Sequence, residues 1–219
     1  MGDQDPILEE PVEGSQKLFI IFGGIASGIV MPPFEFYQSS KILDHNRIFV
    51  RDFKQSWYHA GLPGISKDLE GTRRCLTEII ERYAPDETVM VGNSMGGFAA
   101  ILFASLIGDS RAVAFAPQTF IGPRLRWKHR DRRWKGLIYR TYMRTLFSER
   151  HFDLAALPEN GHWRADVHYA STHVLDRIHG QNLANRDHIT LHEHPEGGHK
   201  LVKHLRDTGQ LPKILLGKS

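Results

Sequence analysis

The sequence predicts an α/β fold, a doubly wound and mostly parallel sheet with helices on both of its faces. Three observations point to it. Apolar runs of four to six residues recur along the chain, helical stretches separate them, and several stop at glycine or proline. Runs so short and so uniformly apolar are buried on both sides, the condition of parallel strands sandwiched between helices.

The first run, Lys17 to Phe22 (KLFIIF), ends at Gly23-Gly24 and reads as a buried strand entering a tight turn. Arg47 to Arg51 is the second strand. Ser66 is a candidate N-cap for a helix that places Leu69, Leu76, Ile79, Ile80 and Tyr83 on one face until Ala84-Pro85. Thr88 to Val91 is a strand, Met95 to Ile107 an apolar helix, and Ala112 to Ala116 a strand closed by Pro117. A strand at Ala165 to Ala170, a short helix near Gln181 to Asn185, a strand at His188 to Leu191 and a helix from about His199 complete the pattern. With 219 residues the chain forms one domain over 17–219, carrying a cap-like insertion at about 118–160. Residues 1–16, with five acids and no Lys or Arg, are expected to be a flexible acidic tail rather than a targeting segment, which places the protein in the cytoplasm. The single cysteine, Cys75, excludes intrachain disulfides and cysteine metal clusters, and a structural role is expected for it.

Charge is uneven. Between Gly122 and Arg150 ten Lys or Arg face two acids, so this stretch carries +8 of a chain whose net charge is +3, and the remainder is −5.

The chemistry centres on Gly92-Asn93-Ser94-Met95-Gly96. Gly-x-Ser-x-Gly alone is a modest signal, but here a strand runs into it and an apolar helix leaves it, the context in which a serine is pushed out of a sharp turn as a nucleophile. The alternative is a serine that merely caps the helix. A serine hydroxyl is a weak nucleophile and needs a base, normally histidine, oriented by an acid. His199 follows the last strand and the turn Glu196-Gly197-Gly198, and is the candidate base among thirteen histidines. Asp176, the first carboxylate after the Ala165 to Ala170 strand, is the candidate acid; a solvated loop or helix-start aspartate is the alternative. The oxyanion of an attacked carbonyl would meet the backbone N–H of Met95 and that of Gly24 or Ile25. His192-x-His194 lacks a third ligand, and Gly23 to Gly28 lacks phosphate-loop spacing, so no metal and no cofactor are expected.

The ordered set FGG, GNSMGG, a late Asp and GGH resembles the α/β-hydrolase superfamily over about Lys17 to Gly217. More narrowly, PPFEF, RDFKQSWYHAGLPG, SMGGFAAILFA and AFAPQTF are similar to stretches of bacterial members of that superfamily, some linked to surface-polysaccharide gene clusters. The resemblance implies a Ser-His-Asp enzyme without supplying a substrate. Two departures stand out. The usual Gly-x-x-Asp-x-x-Asp is here Ala170 to Asp176, with His173 in place of the first acid, and the early histidine of many members is Phe22 or Gly23.

The loop from Arg51 to Gly64 should lie at the ligand-binding edge of the sheet, where Trp57 and Tyr58 would line a pocket or pack beneath it. In the basic insertion Arg132 and Arg133 are candidate substrate-binding residues, interleaved with Trp127, Trp134, Tyr139, Tyr142 and Phe147. The segment suits an anionic part of a small or carrier-bound acyl substrate, or peripheral contact with a membrane; a solvated basic helix is the plain alternative. Nucleic acid is not expected, because no binding module is present. The expected function is hydrolysis of an ester or thioester by a serine esterase or acyl thioesterase. The alternatives are acyl transfer or lyase chemistry on the same triad, or a non-catalytic binding protein of the same fold.

Overall fold

Alternation along one strand assigns the two faces of the molecule. In β2 (Lys17–Phe22), Leu18, Ile20 and Phe22 join one buried cluster, while Phe19 and Ile21 join another. The computed structural model describes residues 5–25, 36–146, 151–159 and 162–217. Phe147 lies outside the described residues.

Among the described residues seven strands form one sheet in the order β1-β3-β2-β4-β5-β6-β7, comprising β1 (Ile7–Glu10), β2, β3 (Asn46–Val50), β4 (Glu87–Asn93), β5 (Ser110–Phe115), β6 (Arg164–Ala170) and β7 (Ile189–His194). All neighbours run parallel except β1, which is antiparallel to β3. The first face is covered by α1 (Leu69–Tyr83) and α2 (Met95–Ile107), the second by α6 (Leu201–Asp207) and α7 (Leu211–Leu215). α2 is apolar all round, as befits a helix packed on every side: Phe98, Ile101, Leu102 and Phe103 are fully buried. Each such side chain contributes about 1.5–3 kcal/mol by leaving water. Between β5 and β6 lie α3 (Pro123–Lys128) and α4 (Lys135–Arg144), and between β6 and β7 lies α5 (Val174–Gln181). The strand order reverses between β2 and β4, and such a switch point opens a crevice at the carboxyl edge of the sheet.

Three local expectations are corrected. Within the expected tail, Ile7–Glu10 is a strand that pairs with β3, while residues 1–4 lie outside the described residues. The acids of this strand find cations elsewhere, Glu10 at 2.6 Å from Arg47 and Glu9 at 2.7 Å from Arg82. α1 is capped by Asp68, which accepts from Gly71 N, while the Ser66 hydroxyl accepts from Leu62 N. The helix after β6 starts at Val174, because His173 serves as its N-cap. Cys75 is half-buried in α1, with its thiol pushed up chiefly by burial, consistent with a structural role. Among the described residues no helix is long and apolar enough to cross a membrane.

Buried histidines make the fold acid-sensitive. Burial pushes His59 down to about 4, and burial with the neighbouring His192 and His194 pushes His168 down to about 3. Above the ordinary histidine pKa of about 6.5 neither state binds the proton and these groups contribute nothing to the pH dependence. Below it the unfolded chain takes up protons that the native chain refuses. Each histidine then removes about 1.4 kcal/mol of stability per pH unit until its folded pKa is reached. Urea midpoints measured from pH 7 to pH 4 should therefore fall, and His168→Gln should flatten the slope; a midpoint independent of pH would contradict this.

Candidate active site

β4 delivers Ser94 and α2 begins one residue later, so the serine occupies the tightest point of a strand-to-helix turn. Its backbone sits at φ 52 and ψ −113, a conformation that costs a non-glycine residue about 1–3 kcal/mol and is tolerated only when its surroundings impose it. Hydrogen bonds impose it here: Ser94 N donates to Phe115 O at 2.9 Å, and Ser94 O accepts from Phe98 N at 3.0 Å and Gln118 N at 3.3 Å. The Ser94 side chain makes no capping bond to α2, although it stands at the N-cap position. This removes the plain reading of the serine as a cap.

The turn is possible only because two glycines let backbone approach backbone. A Cβ on Gly92 would lie 2.1 Å from Gly96 O, and one on Gly96 would lie 2.2 Å from Phe22 O. Gly96→Ala must push β2 away from α2. It is expected to lower stability by about 3 kcal/mol or more, read as a drop in the urea midpoint, whereas a wild-type midpoint would show that the turn yields.

The parallel strands bring the other candidates to the same edge. β6 ends at Ala170, and α5 then presents Asp176 in its first turn. β7 ends at His194, and Gly197 and Gly198, both with positive φ, turn the chain so that His199 lies in a short 3-10 segment. His199 Nδ1 stands 2.8 Å from Asp176 Oδ2 and 3.1 Å from Oδ1. A proton on Nδ1 donated to that carboxylate leaves the lone pair on Nε2, at the far side of the ring, free to act as a base. His199 is 41% exposed at its side chain, whereas Asp176 is 1% exposed.

Asp176 has further partners. Arg133 Nη1 donates to Oδ1 at 3.0 Å, and His173 Nδ1 lies 3.1 Å from Oδ2 and accepts from Asp176 N at 3.2 Å. Burial alone would push the carboxyl up. The hydrogen bond from His199 and the charges of His199, His173 and Arg133 outweigh it and hold Asp176 below the ordinary carboxylate value. The start of α5 adds positive potential. His173, which replaces an acid of the family pattern, thus caps the helix that carries Asp176.

The candidate backbone donors flank the turn. Phe22, the last residue of β2, pairs with Gly92 of β4, and Gly24 and Ile25 follow two and three residues after that pair. Met95 is the first residue of α2, and the leading N–H groups of a helix have no acceptor within it.

Two expected substrate residues are corrected, and two others sit differently from one another. Trp57 and Tyr58 are fully buried and belong to the same core cluster as Phe22 and Phe103. The Tyr58 hydroxyl donates to Gly23 O at 3.0 Å and Val50 O at 3.1 Å, tying together the ends of β2 and β3 behind the candidate oxyanion strand. Asp52, itself buried, shapes that loop by accepting from Ser56 N at 2.6 Å and Tyr58 N at 2.9 Å. Arg133 is committed to Asp131 and Asp176, while Arg132 is exposed. Arg132 lines a groove of about 1280 Å³ on the basic segment, with Arg126, Trp127, Lys128, Lys135 and Tyr139.

Among the described residues one group, His173, Asp176 and His199, comes close enough to share a metal ion. Its ligand atoms are already engaged with one another, the α5 backbone and Arg133. The pair His192-x-His194 is likewise occupied: His192 Nε2 lies 2.8 Å from Asp166 Oδ1, and His194 Nε2 lies 3.1 Å from His168 Nδ1.

No protein-family model and no curated protein matches the sequence. Solved structures do. The capsule O-acetyltransferase of Neisseria meningitidis serogroup A superposes with a TM-score of 0.70 at 16% identity, covering 93% of this chain and 88% of that one. MGS-MChE2, an α/β-hydrolase enzyme from the metagenome of lagoon sediments at Mar Chica, Morocco, gives 0.60 at 14% identity, with 97% and 94% covered. The chain has the α/β-hydrolase fold. MenH from S. aureus, at a TM-score of 0.58 and 12% identity, covers 97% of both chains. The fold explains why Ser94, Asp176 and His199 arrive in that chain order at one edge of the sheet.

Proposed function

We propose that this protein is a serine acyl-transfer enzyme that cleaves an ester or thioester through Ser94, His199 and Asp176. The hydrogen-bonded pair of His199 and Asp176, on the sheet edge that presents the strained Ser94, carries this reading. Ser94 Oγ attacks the carbonyl carbon while His199 Nε2 takes its proton. The N–H of Met95 and that of Gly24 or Ile25 hold the oxyanion. His199 returns the proton to the leaving alcohol or thiol, and water then resolves the acyl-enzyme by the same proton path.

A second acceptor has a specific observation in its favour. The structural likeness to a capsule O-acetyltransferase supports a saccharide hydroxyl taking the place of water. The basic groove supports an anionic donor or acceptor in either case. The hydrogen-bond distance between Asp176 and His199 supports the catalytic reading over a non-catalytic one.

Turnover of a neutral activated ester and of acetyl-coenzyme A, each with and without a hydroxyl-rich saccharide, tests the reading. Acyl release should depend on Ser94, and added saccharide should gain acetyl groups if the second acceptor holds. Salt, and the pair Arg132→Ala with Lys135→Ala, should slow the anionic thioester and spare the neutral ester. Folded protein that turns over neither compound would count against the proposal.

A further inference from the structure

The basic segment between β5 and β6 sends one of its cations inward. Arg133 is only 19% exposed at its side chain, and its guanidinium spans two buried carboxylates. Nη1 donates to Asp176 Oδ1 at 3.0 Å, while Nη2 donates to Asp131 Oδ2 at 3.0 Å and Nε to Asp131 Oδ1 at 3.1 Å. Asp131 in turn lies 3.0 Å from Nε2 of His179, a fully buried residue of α5 stacked on Phe120 with ring centres 4.0 Å apart. Facing a carboxylate oxygen, Nε2 of His179 is the donor to Asp131, and burial holds the ring below its ordinary value. The main chain around Arg133 is fixed as well, because Arg126 Nη2 donates to Asp131 O at 3.0 Å and Arg133 O at 2.7 Å.

We infer that Arg133, held by Asp131 and His179, is a positioning residue that clamps the candidate catalytic acid from the basic segment. This rests on the reading of Ser94, His199 and Asp176 as a triad. Arg133 occupies Oδ1 of Asp176, which leaves Oδ2 as the closer acceptor for His199 Nδ1, at 2.8 Å against 3.1 Å. It also supplies the positive charge that lets two buried carboxylates coexist ionised. Arginine is required because its planar fork meets two carboxylates at once, which a lysine ammonium on a flexible stem cannot do. The segment that bears the groove is therefore wired to the acid. Arg132, one residue away, takes no part.

Arg133→Met, Arg133→Lys and, as a control on the same segment, Arg140→Met test the clamp. Two quantities are measured across pH: the rate at which a fluorophosphonate labels Ser94, and the downfield proton resonance of His199 Nδ1–H. Arg133→Met should label roughly ten- to a hundredfold more slowly. Its acid limb should move to higher pH, because Asp176 without the guanidinium keeps its proton longer, and the resonance should shift upfield or broaden. Arg133→Lys should recover part of the rate, and Arg140→Met should match wild type. Wild-type rate, pH profile and resonance in Arg133→Met overturn the clamp. Should that variant fail to melt cooperatively, Arg133→Lys decides, and wild-type behaviour there overturns it equally. A wild-type protein that never labels would overturn the nucleophile reading instead, and the His199 resonance would still judge the clamp.

Discussion

Ser94→Ala should reduce turnover of an activated ester by on the order of 10⁶-fold, by comparison with removal of a triad serine. The reason is geometric. The strained backbone of Ser94 sets its hydroxyl at the turn between β4 and α2, and no side-chain bond to the helix gives that hydroxyl another task. Removing it takes away the atom that becomes covalently bonded and nothing that holds the turn, since the bonds to Phe115, Phe98 and Gln118 run through the backbone of residue 94. Initial rates and a urea melt on the same sample separate the effects: activity lost and midpoint unchanged within about 1 kcal/mol. An alanine variant that keeps activity would move the chemistry elsewhere.

Asp176→Asn is expected to cost about 10⁴-fold in turnover. An amide can donate toward His199 Nδ1, favouring the tautomer that carries its proton on Nε2, where a lone pair is needed. The same change leaves the buried Arg133 with one carboxylate instead of two, and breaking a buried ion pair typically costs about 3–5 kcal/mol. Rates should therefore be taken well below the variant's midpoint. The sign of the pH effect follows from the depressed carboxyl of Asp176. Such a group adds stability above its ordinary value of about 3.9 and loses it only as pH falls through the folded value, so this contribution is intact at neutral pH. A retained rate in folded Asp176→Asn would show that another group orients His199.

Much of this was legible along the chain. KLFIIF forms a strand over Lys17–Phe22 as expected, because six residues with no polar interruption after Lys17 leave a strand no face to show water. The helix over Met95–Ile107 and the serine before it are legible for a steric reason, since the glycines around Ser94 are required by contacts shorter than a Cβ permits. What stayed hidden depends on partners distant in sequence. Glu9 and Glu10 look like solvated tail residues until Arg82 and Arg47 reach them. Trp57 and Tyr58 sit in a polar loop, and only the turn that Asp52 builds around Ser56 and Tyr58 drives them inward. Arg133 is indistinguishable by composition from exposed Arg132, because its counterion Asp176 lies 43 residues away. His173 offers no cap signal by residue type, since serine, threonine, aspartate and asparagine are the usual caps.

The central claim is that Ser94 is an activated nucleophile served by His199 and Asp176. Intact-mass analysis after treatment with a fluorophosphonate, followed by peptide mapping, tests it most directly. The structure predicts a single adduct on the peptide containing Ser94, absent from Ser94→Ala and strongly slowed in His199→Ala. Folded wild-type protein that stays unmodified, or an adduct that maps to another serine, would contradict it.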